Sequence, residues 1–565
     1  MDPYLGIDQF LTEQRVAFFS MEIALRGDIP TYAGGLGILA GDTLRTAADM
    51  RASLVGVTLV SRAGYFRQEL DASGRQIEHP APWEPARWAS PLDAKAAVRI
   101  EGRRVWIGAW LYVIESPLGG LAPVILLDTD QPENESSDRE ITHYLYGGDE
   151  AYRLKQEMVL GMGGFRILHA LGFRIGDYHM NEGHSALLGV ELLRRSAYSP
   201  EDVRPGEPAY DLPRVRRRCR FTTHTPVEAG HDRFSYDLVA RLFAGKTPSI
   251  DLALLRELGG HDALNMTRLA LNLSDFVNGV AKRHAEVSRG MFPGYEVRAI
   301  TNGVHPYTWA TESFRALYDR YVPGWSLEPE LLIRADAIPA AALIEAHERA
   351  KLALIERVRA LTAVTLDAAK PILGFARRMT AYKRPDLMFA DMERLRRIAT
   401  NAPFQIVLAG KAHPRDAEGK RLITVLHEHA RALASVVPVV YLPDYDFSLA
   451  QLVVAGADVW LNTPLPPFEA SGTSGMKAAF NAVPSLSVPD GWWIEGCIEG
   501  VTGWSVEDAP SLYDKLERIV LPLYYARSSN PAGWIRVMQG AITKNAAYFN
   551  SHRMMRRYAT EAYLR

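Results

Sequence analysis

Short apolar runs bounded by turn residues alternate along this chain with longer stretches of helical period, and that alternation constrains the fold more than any other feature. The runs predict strands over 16–20, 54–59, 105–115, 124–128 and 220–225, then over 372–376, 404–409, 437–442 and 459–462. Helical patterns cover 42–52, 150–171 and 182–195, then 340–361 and 414–434, with a last helix over about 531–565. Strands that alternate with helices belong to parallel sheets covered on both faces. A single core rarely grows past roughly 250–300 residues. The 565 residues therefore predict at least two such units. The pattern breaks around 307–339, near Pro306, Pro323, Pro329 and Pro339. The expected domains are 1–320 and 321–565, both α/β and doubly wound (Rossmann-like), facing a cleft. The last helix can pack back on the first of them.

Charge and cysteine content exclude several classes. The net charge is −2 and no long basic run exists, which argues against nucleic-acid binding. Two cysteines, Cys219 and Cys497, make no disulfide framework, and neither stands in a ligand cluster, so no metal is expected. The first twenty residues lack a signal-peptide pattern, and no apolar run reaches the ~20 residues of a membrane span. The expectation is a cytoplasmic protein with no membrane partner.

The most informative stretch is FEASGTSGMKAAFNAVPSLSVPDGWWIEG, over 468–496. It follows an apolar run, and small residues crowd its turn before Lys477. Such a turn offers backbone N–H groups to an anion at a helix start, with Thr473 and Ser474 adding hydroxyls. Lys477 could hold a phosphate as a point charge, or form a Schiff base with pyridoxal phosphate; a surface helix with a Gly/Ser-rich cap would look the same. A second cluster, GFARRMTAYKRPDLM over 374–388, puts Arg377 and Arg378 at a strand's carboxyl end and Lys383 and Arg384 soon after. Gathering four cations there calls for an anion, unless they form a solvated face. A third piece, YAGGLGILAGD over 32–42, carries Gly34, Gly35 and Gly37 before a helix, where a backbone can approach a ligand closely.

Together these pieces resemble the glycogen/starch/maltodextrin phosphorylase family. EASGTSGMK is similar to that family's cofactor-lysine motif, ARRMTAYKR to its phosphate-binding segment and GGLG to its N-terminal glycine loop. HMNEGHSAL, TTHTPVEAGHDRF, VNGVAKRH and TNGVHPYTW follow in the family's order, and FSMEIAL, LVGVTLVSRAGYFRQ and LYGGDEAYRLKQE look like the short bacterial and archaeal members. The resemblance implies a glycosyltransferase-B architecture and the reversible, retaining phosphorolysis of α-1,4-glucan ends to α-glucose 1-phosphate. It implies pyridoxal 5'-phosphate on Lys477, whose phosphate relays a proton to the substrate phosphate. Arg377, Thr473, Ser474, Gly475, Gly34 and Tyr445 match positions around the cofactor. Arg378, Lys383, Tyr382 and the Gly35 amide match positions around inorganic phosphate. His224, Asn278, Glu182, His184, Glu469, Ser471 and Gly472 match the sugar's surroundings. Lys477, Arg378, Lys383 and His224 are the expected catalytic set. Trp309, Trp492, Trp493 and Tyr65 could stack on sugar or pack in the core.

The chain departs from the longer enzymes in several places. Arg377 stands where many members have lysine, Ser474 and Gly475 replace a Gly-Asn pair, and Asp446 follows Tyr445 where a basic residue is usual. The long N-terminal extension has no counterpart, so allosteric and phosphorylation control are not expected. Many members are homodimers, but the dimer-forming segments are not recognisable here. Two rival readings remain: a nucleotide-sugar glucosyltransferase of glycogen synthase type, which has no need of Lys477, and a glucan-binding protein without catalysis.

Overall fold

The computed structural model describes residues 6–204, 207, 209–244 and 251–564. Two large sheets organise them. The first contains β1 (Gln14–Ser20), β2 (Leu54–Leu59), β3 (Ser90–Ile100), β4 (Arg103–Glu115), β5 (Leu121–Asp128), β6 (Arg174–Asn181), β7 (Cys219–Thr222), β8 (Phe276–Gly279) and β9 (Arg298–Ala299), in the order 9-8-7-6-1-2-5-4-3. Strands β9 through β5 run parallel, and β5, β4 and β3 form an antiparallel edge. The second sheet contains β10 (Ile372–Ala376), β11 (Gln405–Ala409), β12 (Val439–Leu442), β13 (Val459–Asn462), β14 (Ser485–Ser487) and β15 (Gly503–Ser505), all parallel in the order 12-11-10-13-14-15.

Burial explains which strands are legible. Every residue of LVGVTL in β2 and ILGFA in β10 is buried, as parallel strands between helix layers require. The antiparallel β3, SPLDAKAAVRI, alternates exposed and half-buried residues over its first half, buries only Val98 and Ile100, and has no long apolar run. Strand β6, RIGDYHMN, is polar over its first half, and β14 and β15 have three residues each. None of these four was expected from the runs.

The broken pattern around 307–339 is helical rather than irregular. Pro306 opens the helix Pro306–Trp309 and Pro329 opens the 3-10 segment Pro329–Ala337, with the helix Glu312–Tyr321 between. Proline is tolerated in a first helical turn, where its missing N–H has no intrahelical partner to lose. The single last helix is also corrected. Helical backbone runs from Ala532 to Ala546, breaks, and restarts at Ser551–Tyr558, where the Asn550 side chain accepts the Arg553 N–H. This final helix lies against the first sheet: Tyr558 Oη bonds Thr222 and Asn278, and Tyr563 Oη bonds His179.

Each sheet reverses its strand order once, between β1 and β6 in the first and between β10 and β13 in the second. The crevice outside the carboxyl ends at such a reversal is where open parallel sheets bind ligands. A hairpin of the first half, Arg67–Leu70 with Gln76–His79, reaches across to the second sheet. There Gln68 Nε2 donates to the Gly410 carbonyl and Gln76 Nε2 to that of Ala412, both at 2.9 Å.

Candidate active site

At the second reversal, β10 ends by delivering Arg377 and Arg378, and β13 leads through 463–473 into the short helix Ser474–Ala479 that carries Lys477. Arg377 Nη2 lies 2.7 Å from Glu469 Oε2, and Lys383 Nζ lies 2.7 Å from both Glu469 oxygens. All three side chains are buried. Burial alone would raise the Glu469 carboxyl, but the two cations hold it below its ordinary value. Gly472 lies at φ +80°, and a Cβ there would come within 3.1 Å of the Glu469 side chain, so the turn needs glycine. The Glu469 N–H donates to Asp490 Oδ2 at 2.9 Å.

Two donors at this site are left over. Among the described residues, Arg377 Nη1 and Ser471 Oγ are buried with no hydrogen-bond partner. Buried polar atoms are nearly always paired, so unpaired donors beside a shared carboxylate suit an anionic occupant. Lys477 is buried too, with its Nζ 4.1 Å from the centre of the Trp309 ring. Burial pushes its amine down to about 8, with Asp42 opposing and Arg377 assisting. Tyr382 lies under Lys383 Nζ at 4.6 Å, and Tyr445 Oη reaches the Ala376 carbonyl at 3.5 Å.

Other members of the expected cradle have different duties. Ser474 Oγ accepts the Trp460 indole N–H at 3.0 Å, so its hydroxyl is turned toward the core. Gly475 makes room for Trp492, whose ring would lie 2.7 Å from a Cβ there. Thr473 is the helix N-cap, and its side chain makes no capping bond.

The first reversal is built from neutral or saturated groups. Strand β1 runs on to Glu22, whose carboxylate accepts the Ala33 N–H at 2.6 Å, the Gly34 N–H at 3.2 Å and Tyr146 Oη–H at 2.9 Å. Glu22 thereby props the turn that starts the helix Gly35–Asp49. A Cβ at Gly34 or Gly35 would meet open space. Burial raises the Glu22 carboxyl, and the charge of the exposed Arg378 acts against that. Strand β6 leads into Glu182, held at φ +72°, whose carboxylate accepts the N–H groups of Gly183 and His224 and the Thr225 hydroxyl. His224 Nε2 lies 2.7 Å from Asn181 Oδ1, and burial pushes the ring down to about 3, so it stays neutral. His184 is likewise pushed down to about 3 by burial, 3.4 Å from Asp232.

Asn278 is not gathered with these groups. It is fully buried, with its carboxamide engaged by Thr222, the Gly279 carbonyl and Tyr558. Trp309, Trp492 and Trp493 are buried in the core and cannot stack on a sugar from outside. Glu22, Asp42, Tyr146 and Asp490 were not singled out from sequence. The signal for the first two was a carboxylate inside an apolar run: FSMEIAL for Glu22 and GLGILAGD for Asp42.

A family model for carbohydrate phosphorylase matches residues 231–501. A maltodextrin phosphorylase of Thermococcus litoralis is 37% identical, covering 98% of this chain and 70% of its own length. A glycogen phosphorylase of Aquifex aeolicus is 35% identical, covering 97% of this chain and 86% of its own. An uncharacterized protein of Methanocaldococcus jannaschii is 30% identical, covering 97% of this chain and 99% of its own.

Proposed function

The chain belongs to the carbohydrate phosphorylase family, and from that premise we propose that it is an α-glucan phosphorylase, converting α-1,4-glucan or maltodextrin ends and inorganic phosphate reversibly to α-glucose 1-phosphate with retention. The observation that carries this reading is the buried cluster at the second reversal: two cations on one carboxylate, Arg377 Nη1 and Ser471 Oγ buried and unpaired among the described residues, and the desolvated amine of Lys477 six residues on from Ser471. These residues fit pyridoxal 5'-phosphate. Lys477 would hold it through its amine, and Arg377 would face its phosphate together with Ser471, which the resemblance had matched to the sugar instead. When bound, that phosphate supplies a proton donor and acceptor beside the substrate phosphate.

The protein's own groups do the rest. Arg378 and Lys383, with the Gly35 amide, hold the substrate phosphate and offset the repulsion between two neighbouring phosphates, whose second ionisations lie near pH ~6. Glu469 and Gly472 face the ring hydroxyls. Glu182 anchors the His224 backbone, and the ring, kept neutral by burial, is the hydrogen-bonding group for the sugar. No pair of carboxylates is needed as acid and nucleophile, in contrast to glycosidases. We read the two sheets as facing domains of a glycosyltransferase-B architecture, 1–320 and 321–565, and place the protein in the cytoplasm, in keeping with its free cysteines.

The test is the intact mass before and after borohydride reduction in the presence of pyridoxal phosphate, with peptide mapping, alongside glucose 1-phosphate release from maltodextrin. An adduct on Lys477 together with phosphate-dependent release supports the reading. An unmodified chain that transfers glucose from a nucleotide sugar would overturn it.

A further inference from the structure

The surroundings of Lys477 include two groups that phosphate chemistry does not require. One is the Trp309 ring, whose face lies under Nζ at 4.1 Å. The other is Asp42, fully buried on the helix Gly35–Asp49. The two are joined: the Trp309 indole N–H donates to Asp42 Oδ2 at 2.8 Å, and the His305 N–H donates to the same oxygen at 3.2 Å. Asp42 Oδ1 is buried without a hydrogen bond among the described residues, and Arg45 Nη1 stands 3.5 Å from it. Asn481 ties the ring to the lysine, its Nδ2 donating to the Trp309 carbonyl at 2.7 Å and the Lys477 carbonyl at 3.2 Å.

We propose that Asp42 and Trp309 are positioning residues for cofactor loading: the indole face aims the Lys477 amine, and the buried carboxylate that accepts the indole N–H sets the electrostatics around it. The inference rests on the reading of Lys477 as the anchor of an aldehyde cofactor. In loading, the neutral amine attacks the aldehyde carbon, a C=N bond replaces two N–H bonds, and the aldehyde oxygen leaves as water. An ammonium has no lone pair and cannot begin this step. Three groups on three elements act on the Lys477 amine, and of these the Trp309 ring is in contact with it. The Trp309 face and the Asp42 charge favour the ammonium, and Arg377, at the end of β10, favours the free amine. Arg45, on the same helix as Asp42, tempers the carboxylate. Burial of the whole group works on the side of Arg377.

The experiment uses the full chain freed of cofactor. Pyridoxal phosphate is added between about pH 6 and pH 10, a range that brackets an amine shifted below the usual lysine value. Adduct on Lys477 is trapped with borohydride and quantified by peptide mass. A small acylating reagent, used without cofactor, reads the amine's midpoint independently. Asp42→Asn preserves an acceptor for the indole N–H and removes the charge. Its midpoint is expected to fall by about one pH unit in both assays. Trp309→Leu is expected to slow adduct formation about tenfold on the alkaline plateau, where protonation no longer matters, and Trp309→Phe to restore most of that rate. The Trp309 series reads aim whether or not Asp42→Asn folds. An Asp42→Asn midpoint equal to the parent's, or a Trp309→Leu plateau rate equal to the parent's, with adduct forming throughout, overturns the inference and leaves the cofactor reading standing. Absence of adduct in the parent chain overturns both.

Discussion

The two strand-order reversals have opposite chemical characters. At the first, between β1 and β6, the carboxylates of Glu22 and Glu182 each accept three hydrogen bonds, and His224 and His184 are held neutral by burial. At the second, between β10 and β13, Arg377 and Lys383 share Glu469, and donors remain unpaired. The first is therefore a finished polar scaffold suited to hydroxyl groups, which need orientation and little charge. The second holds donors in reserve, suited to anions that arrive with the ligand. The proposed reaction joins a neutral sugar to a phosphate, and the proposal gives one of the two to each reversal.

That contrast can be broken by substitution. The largest effect is expected from Lys477→Ala, which should lose both the borohydride-trapped adduct and glucose 1-phosphate release to background while its thermal transition stays cooperative. Lys383→Met removes one cation and leaves Glu469 to Arg377. It should lower kcat/KM for phosphate by about 10²–10³, the range seen when one preorganised charge-stabilising donor is lost. Steady-state kinetics with phosphate varied would check this, and an unchanged value would deny the second reversal its anion role. Glu182→Gln removes the charge that receives the His224 N–H. It should cost about tenfold in kcat/KM for maltodextrin, as for one hydrogen bond to a charged group, with the KM for phosphate little changed. Equal losses for both substrates would erase the distinction between the two regions. The smallest effect concerns pH. Burial lowers His224 and His184 to about 3, so both are already neutral above that value. Neither should contribute an inflection between about pH 5 and pH 8, and His224→Gln should lower the rate without changing the shape of the profile.

Much of the site was legible because its pieces are local. A buried parallel strand reads as an apolar run, and the residues just past its end are those at the sheet's carboxyl edge. Arg377 and Arg378 after ILGFA, and the turn before Lys477 after VWLN, could thus be placed from sequence. Strand β3 escaped because an edge strand wetted on one side alternates in polarity, and β14 and β15 because three residues make no pattern. Ser474 and Gly475 sit in the legible turn, but their orientation toward Trp460 and Trp492 depends on rings brought in from other elements.

The sequence by itself determined the α/β alternation, the family and the order of the cation and lysine motifs, because hydrophobic period and short-range spacing are properties of adjacent residues. Tertiary structure alone decided what stands beside those motifs. Trp309 and Asp42 meet although 267 residues apart, and Asn278 bonds Tyr558, 280 residues later. Such pairings follow from the order in which strands assemble and from the return of the final helix to the first sheet, and no local pattern in the chain encodes either.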